Sequence, residues 1–130
     1  MNNERDLTAA FSKYLRKTKD PPAFLKRSFV IEYKWLKKGR FNFKSDLKAH
    51  QIPSLLQAKN ECLYSKISDM SLGLKPFDAF NVCGVDTWLG ISWDKILYFL
   101  DASFVEAYSK KHKSITREEI IINSKYNIIL

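Results

Sequence analysis

An α/β fold with a small central mixed β-sheet flanked by helices is what this sequence predicts, and three observations predict it. Residues 3–17 repeat apolar side chains at helical spacing. Residues 29–35 form a β-branched and aromatic run, followed by a basic loop and a second helical pattern. Residues 63–93 then break into short β-rich runs separated by turns. With 130 residues, 45% of them hydrophobic and 14% aromatic, the chain is one domain, 1–130, and can offset its chain entropy by burial, which excludes a disordered chain. No apolar run approaches the roughly 18 to 20 residues that span a bilayer. The N-terminal residues carry early charges and no apolar signal core, so the chain is expected to be soluble and cytoplasmic, without a membrane partner.

In the first helix, Leu7, Ala10, Phe11, Tyr14 and Leu15 form the apolar stripe, Asn2 or Asn3 can cap it, and Glu4 and Asp6 favour its positive end. Asp20, Pro21 and Pro22 end it. In the strand over 29–35, alternation places Glu32 and Lys34 on one face and Ile31, Tyr33 and Trp35 on the other. A helix is expected over 45–60, with Ser45 as its cap; a start near His50 instead would put Pro53 in the first turn. Residues 63–68, 76–80 and 87–93 read as strands of an antiparallel meander, with turns at 70–74 and 81–86. A helix is expected over 94–110, capped by Asp94 and striped by Ile96, Leu97, Leu100, Phe104 and Val105. Thr116 to Glu119 has the spacing of a capping box. The isoleucine-rich tail, 120–130, reads as an edge strand, which favours pairing with a second copy as a homodimer.

Charge points to a partner. Twenty-two Lys and Arg against fourteen Asp and Glu give a net charge of +8, spread along the chain, as a folded domain with a face for a polyanion would have it. Cys62 and Cys83 lack the spacing or histidine neighbours of a zinc site and are expected to be buried free thiols.

Glu32-x-Lys34 alone is ordinary strand alternation, but here it precedes Lys37, Lys38, Gly39 and Arg40 and then Phe43, Ser45, Lys48, His50 and Gln51. That combination resembles the restriction-endonuclease-like, or PD-(D/E)XK, nuclease superfamily, most of all its RecU-type and phage Holliday junction resolvases. The resemblance implies a restriction-endonuclease-like fold, Mg²⁺- or Mn²⁺-dependent cleavage of DNA, branched DNA as substrate, and a bacterial or phage-infected cell as setting. It also implies roles: Glu32 as metal ligand, Gln51 near the scissile phosphate, and Glu4, the first helix's glutamate, approaching the metal. Lys-Pro-Phe-Asp-Ala-Phe, 75–80, resembles the superfamily's aspartate signature, so Asp78 becomes the second carboxylate. Its place after the Glu32 strand departs from the usual order and implies a rearranged strand order. Asp69 and Asp20 stay open as alternatives for that ligand.

Phosphodiester hydrolysis needs an activated water and a counter-charge on phosphate. Hard carboxylates suit Mg²⁺, so Glu32 and Asp78 would hold the ion with the Tyr33 backbone carbonyl as a third ligand. Lys34 would orient the water or help deprotonate it, and would stabilise the phosphate. Lys37, Lys38, Arg40, Lys44, Lys48 and His50 would hold the nucleic-acid backbone, contacts that position without reading sequence. Two rival functions remain: a nucleic-acid-binding protein on a degenerate nuclease fold, and a basic interaction or inhibitor module.

Overall fold

A computed structural model describes residues 3–67 and 76–130, and its sheet is built on the hairpin of β5 (Asp86–Trp93) and β6 (Ile96–Asp101). Asp94 and Lys95 join these strands with φ of 52° and 62°, the left-handed pair of a two-residue turn whose twist matches the flanking strands. The helix expected over 94–110 is therefore corrected: it starts only at Ala102, as α4 (Ala102–Lys111), with Asp101 as a cap that accepts from the Ser103 N–H at 2.8 Å. The physical reason is burial on both sheet faces. Thr87 to Trp93 and Leu97 to Leu100 are all buried, so neither strand shows alternation, and a continuous apolar run fits helix or strand equally.

Around this hairpin the sheet is mixed, in the order β1-β5-β6-β8. Strand β1 (Phe29–Trp35) lies parallel to β5, with Phe29 opposite Asp86 and Trp35 opposite Ser92. Strand β8 (Tyr126–Ile129) closes the other side, antiparallel to β6. A parallel pair needs a long crossover, which here runs through β2 (Arg40–Asn42), α3 (Gln51–Asn60) and the hairpin of β3 (Cys62–Lys66) and β4 (Ala79–Cys83). The expected meander is thus overturned. Strands β3 and β4 pair with each other in a sheet of their own, and β5 leaves them to join β1 and β6. Residues 81–83, expected in a turn, are strand, and the turn is Gly84 with Val85, where Gly84 has φ 60°. The expected turn at 70–74 lies outside the described residues.

Two apolar layers cover the sheet. On one face, Leu7 and Phe11 of α1 (Glu4–Lys17) and Phe24 and Leu25 of α2 (Ala23–Lys26) pack on Trp88, Leu97, Phe99 and Ile128. On the other, Leu89, Ile91, Tyr98 and Leu100 pack against Phe41 of β2, Ile115 of β7 (Ser114–Thr116), Val105 of α4 and Ile120 of α5 (Arg117–Asn123). Each such side chain contributes about 1.5–3 kcal/mol of burial. Gly90 leaves room for side chains packed over the sheet: a Cβ there would lie 2.7 Å from Ile31 Cδ1 and 3.1 Å from Leu97 Cδ1.

Three further expectations shift. Helix α3 begins at Gln51, the later of the two starts; Ser45 instead belongs to a turn in which Asn42 Oδ1 accepts the N–H groups of Lys44 and Ser45 at 3.0 and 3.2 Å. The tail divides, because the capping box at Thr116 and Glu119 carries α5 through Asn123 before β8 starts. The cysteines are neither free nor buried: Cys62 and Cys83 are exposed and joined in a disulfide, as direct partners across the β3–β4 hairpin. Only the hairpin register brings them together, and two cysteines 21 residues apart do not announce it. Among the described residues no helix is long and apolar enough to cross a membrane.

Candidate active site and nucleic-acid interface

Strand β1 forms one edge of the central sheet, and its two faces do different things. Ile31 and Tyr33 pack on the α1 side, where the Tyr33 ring meets Phe11 edge-on at 5.8 Å and burial pushes its phenol up to about 12. Glu32 and Lys34, opposite Leu89 and Ile91, emerge on the face that carries the second apolar layer. Trp35 does not join the α1 layer as alternation predicts; it lines a groove beyond the strand end.

Glu32 is held from two directions. Lys34 Nζ lies 3.6 Å from Glu32 Oε1, and Gln51 Nε2 donates to the same oxygen at 2.7 Å. Gln51 is the first residue of α3, and its own Oε1 accepts the Lys48 N–H at 2.9 Å, so the amide is oriented by the turn before the helix. The Lys34 side chain is 13% exposed and that of Glu32 33%, which makes this pair firmer than a surface ion pair. The three residues that sequence places in the catalytic role on β1 and α3 are therefore brought together.

Beside them lies a groove of about 490 Å³. Lys34, Lys37, Lys38 and Arg40 line it with positive charge, Glu4 reaches it from the start of α1, and Asp46 closes it, accepting the Asn42 N–H at 2.7 Å. Lys34 belongs to both sites, since it lines the groove and pairs with Glu32. Asn42 and Asp46 were not singled out by sequence reasoning; their i, i+4 spacing in Asn-Phe-Lys-Ser-Asp, a polar turn ahead of a helix, is the signal that could have found them.

The aspartates are more scattered. Asp78 stands just ahead of β4 in the separate hairpin, and the strand beside Glu32 is β5, which offers Leu89 and Ile91 there and no carboxylate. Asp20 pairs with Lys26 at 2.6 Å in an exposed bridge, and Asp69 lies outside the described residues. The Leu36 N–H donates to Ser92 O at 3.0 Å, and backbone direction alternates along a strand, so the Tyr33 carbonyl faces the open edge of β1. Lys44 lines a second groove, while Lys48 and His50 are exposed at the start of α3. Among the described residues no group of three or more His, Cys, Asp or Glu is placed to hold a metal.

No protein-family model, no curated protein and no solved structure matches this chain.

Proposed function

We propose that this chain is a metal-dependent endonuclease that hydrolyses phosphodiester bonds, with branched DNA as its preferred substrate. The observation that supports it most is the Glu32 carboxylate set between the Lys34 ammonium and the Gln51 amide, beside a groove lined by four cations. The branched-DNA preference rests on the resemblance to Holliday junction resolvases alone.

The donor set suits a hard divalent cation when substrate is present. Mg²⁺ is commonly held by one or two carboxylates with waters and substrate phosphates completing the shell; Glu32 would supply one, and Glu4, which lines the groove that Lys34 also lines, is the candidate for a second. When bound, Mg²⁺ or Mn²⁺ would lower the pKa of a water and offset charge on phosphate. The chain's own residues do the rest. Lys37, Lys38 and Arg40 anchor the backbone, and Lys34 presents its ammonium to the phosphate oxygens that gain charge in the transition state. Gln51 fixes the carboxylate of Glu32 so that little reorganisation accompanies the reaction.

A second reading, a nucleic-acid-binding protein that does not cut, is favoured by one observation: the described residues contain no three-ligand metal group. One experiment separates the two. Labelled four-way junction, duplex and single-stranded DNA are incubated with Mg²⁺ or Mn²⁺ and wild-type, Glu32→Ala or Lys34→Ala protein. Cleavage by wild type, abolished in both variants while binding persists, is the expected result. Binding without cleavage by wild type selects the second reading.

A further inference from the structure

Where the β2–β7 ribbon ends, at the Asn42–Ser114 pair, lies a second groove of about 500 Å³, lined by Asn42, Phe43, Lys44, Ser109, His112 and Lys113. Its floor is aromatic. The His112 ring stacks on Tyr108 at 4.2 Å and 25°, and Tyr108 in turn meets Phe43 at 6.0 Å. His112 is exposed, so one face of its ring is covered by Tyr108 and the other is open to the groove. Tyr108 itself is held, because its hydroxyl donates to Glu119 of the α5 capping box. Tyr108 is thus fixed beneath the imidazole.

The rim is cationic. Lys44 enters from the β2 turn and Lys113 from the segment after α4, and among the described residues neither makes an ion pair. Phe43 N–H donates to Lys113 O at 3.1 Å, which fixes the two sides of the groove against each other. The carbonyl end of α4 would repel an anion, and Lys110 and Lys111 in its last turn offset that field. Asn42 lines this groove and the first one, so the two adjoin at that residue.

An open π-face flanked by unpaired cations, in a cleft of nucleotide size, is the combination that holds an unstacked base with its phosphates. We infer that this groove binds a single-stranded nucleotide, its base against His112 and its phosphates on Lys44 and Lys113. This deepens the proposed function and rests on it in one respect: the first groove, which Asn42 also lines, would hold the duplex backbone, so the favoured substrate carries a duplex-to-single-strand boundary. Recognition is of an unpaired segment, without base identity, because stacking is available to every base.

Anisotropy titrations with three probes test this: a blunt duplex, the same duplex with a short single-stranded extension, and oligo(dT) alone. Wild type is expected to bind the extended duplex about tenfold or more tighter than the blunt one. His112→Ala and Lys44→Ala/Lys113→Ala should lose that gain, and His112→Phe, which restores a stacking ring, should keep it. Equal affinity of wild type for blunt and extended duplex, or a gain that survives His112→Ala, overturns the inference while leaving the endonuclease reading intact. Failure of that reading looks different: no cleavage of a four-way junction with Mg²⁺ or Mn²⁺, with oligo(dT) binding still dependent on His112, which supports the groove by itself. Absence of binding to all three probes overturns it.

Discussion

Gln51 shows how much of the site depends on one uncharged side chain. It is hydrogen-bonded to the Lys48 backbone on one side and to Glu32 on the other, so it orients the carboxylate. Gln51→Leu is therefore expected to leave folding intact, measured by circular dichroism, and to lower turnover about 10–100-fold, the usual cost of losing a partner that orients a ligand. Gly90 is the structural counterpart on the opposite face. Gly90→Ala would press a methyl onto Ile31 Cδ1 at 2.7 Å, and overpacking of this kind costs about 1–3 kcal/mol. In urea denaturation the double variant Ile31→Val/Gly90→Ala, which removes that Cδ1, should recover part of the loss and so reveal the contact by non-additivity.

The elements owe their limits to a few polar residues. Lys95 occupies φ 62° in the β5–β6 turn without being glycine, and Lys95→Gly is expected to raise stability by a few tenths to about 1 kcal/mol, read from the same denaturation curves. Helix α5 is pinned by Glu119, whose carboxyl is drawn down to about 2, first by the Tyr108 hydroxyl and then by the N–H and hydroxyl of Thr116. A depressed acid contributes stability above its unfolded pKa, and that contribution is lost on protonation. Acid titration should therefore loosen α5 as pH falls from about 4.3 toward 2, and Glu119→Gln should remove that slope. The capping box was legible because its residues are neighbours in sequence, as were α1 with its stripe and β1 with its β-branched run. Strand β6 was not, because burial on both faces erases the period that separates strand from helix, and the Asp94–Lys95 turn lacks the glycine that would have marked it.

For the whole molecule the limit on reading is distance along the chain. Glu32, Lys34 and Gln51 come from one stretch of 23 residues joined by a basic loop, so their meeting could be anticipated from strand alternation and a helix start. The pairing of β1 with β5 and of Cys62 with Cys83 depends on contacts between remote segments that no local pattern encodes. The disulfide closes a loop across a separation of 21 residues, and cross-linking of that length contributes about 3 kcal/mol by restricting the unfolded chain. Cys62→Ser/Cys83→Ser, compared with wild type under oxidising and reducing conditions, should show a loss of at most that size in wild type on reduction and no redox response in the variant. The charge of +8 has a matching signature: DNA affinity should fall steeply as salt rises, with a shallower slope once Lys37, Lys38 and Arg40 are removed.

The two-residue Asp94–Lys95 turn also sets an order of events in time. Strands β5 and β6 meet after closing the shortest of loops, whereas β1 reaches β5 only after more than fifty residues of intervening chain have been gathered in. Local hairpins close in microseconds and remote parallel pairings come later, so a refolding chain holds its central hairpin before it holds Glu32 and Lys34 in register. The edge strand that carries Glu32 and Lys34 is, on this account, the last strand of the sheet to arrive.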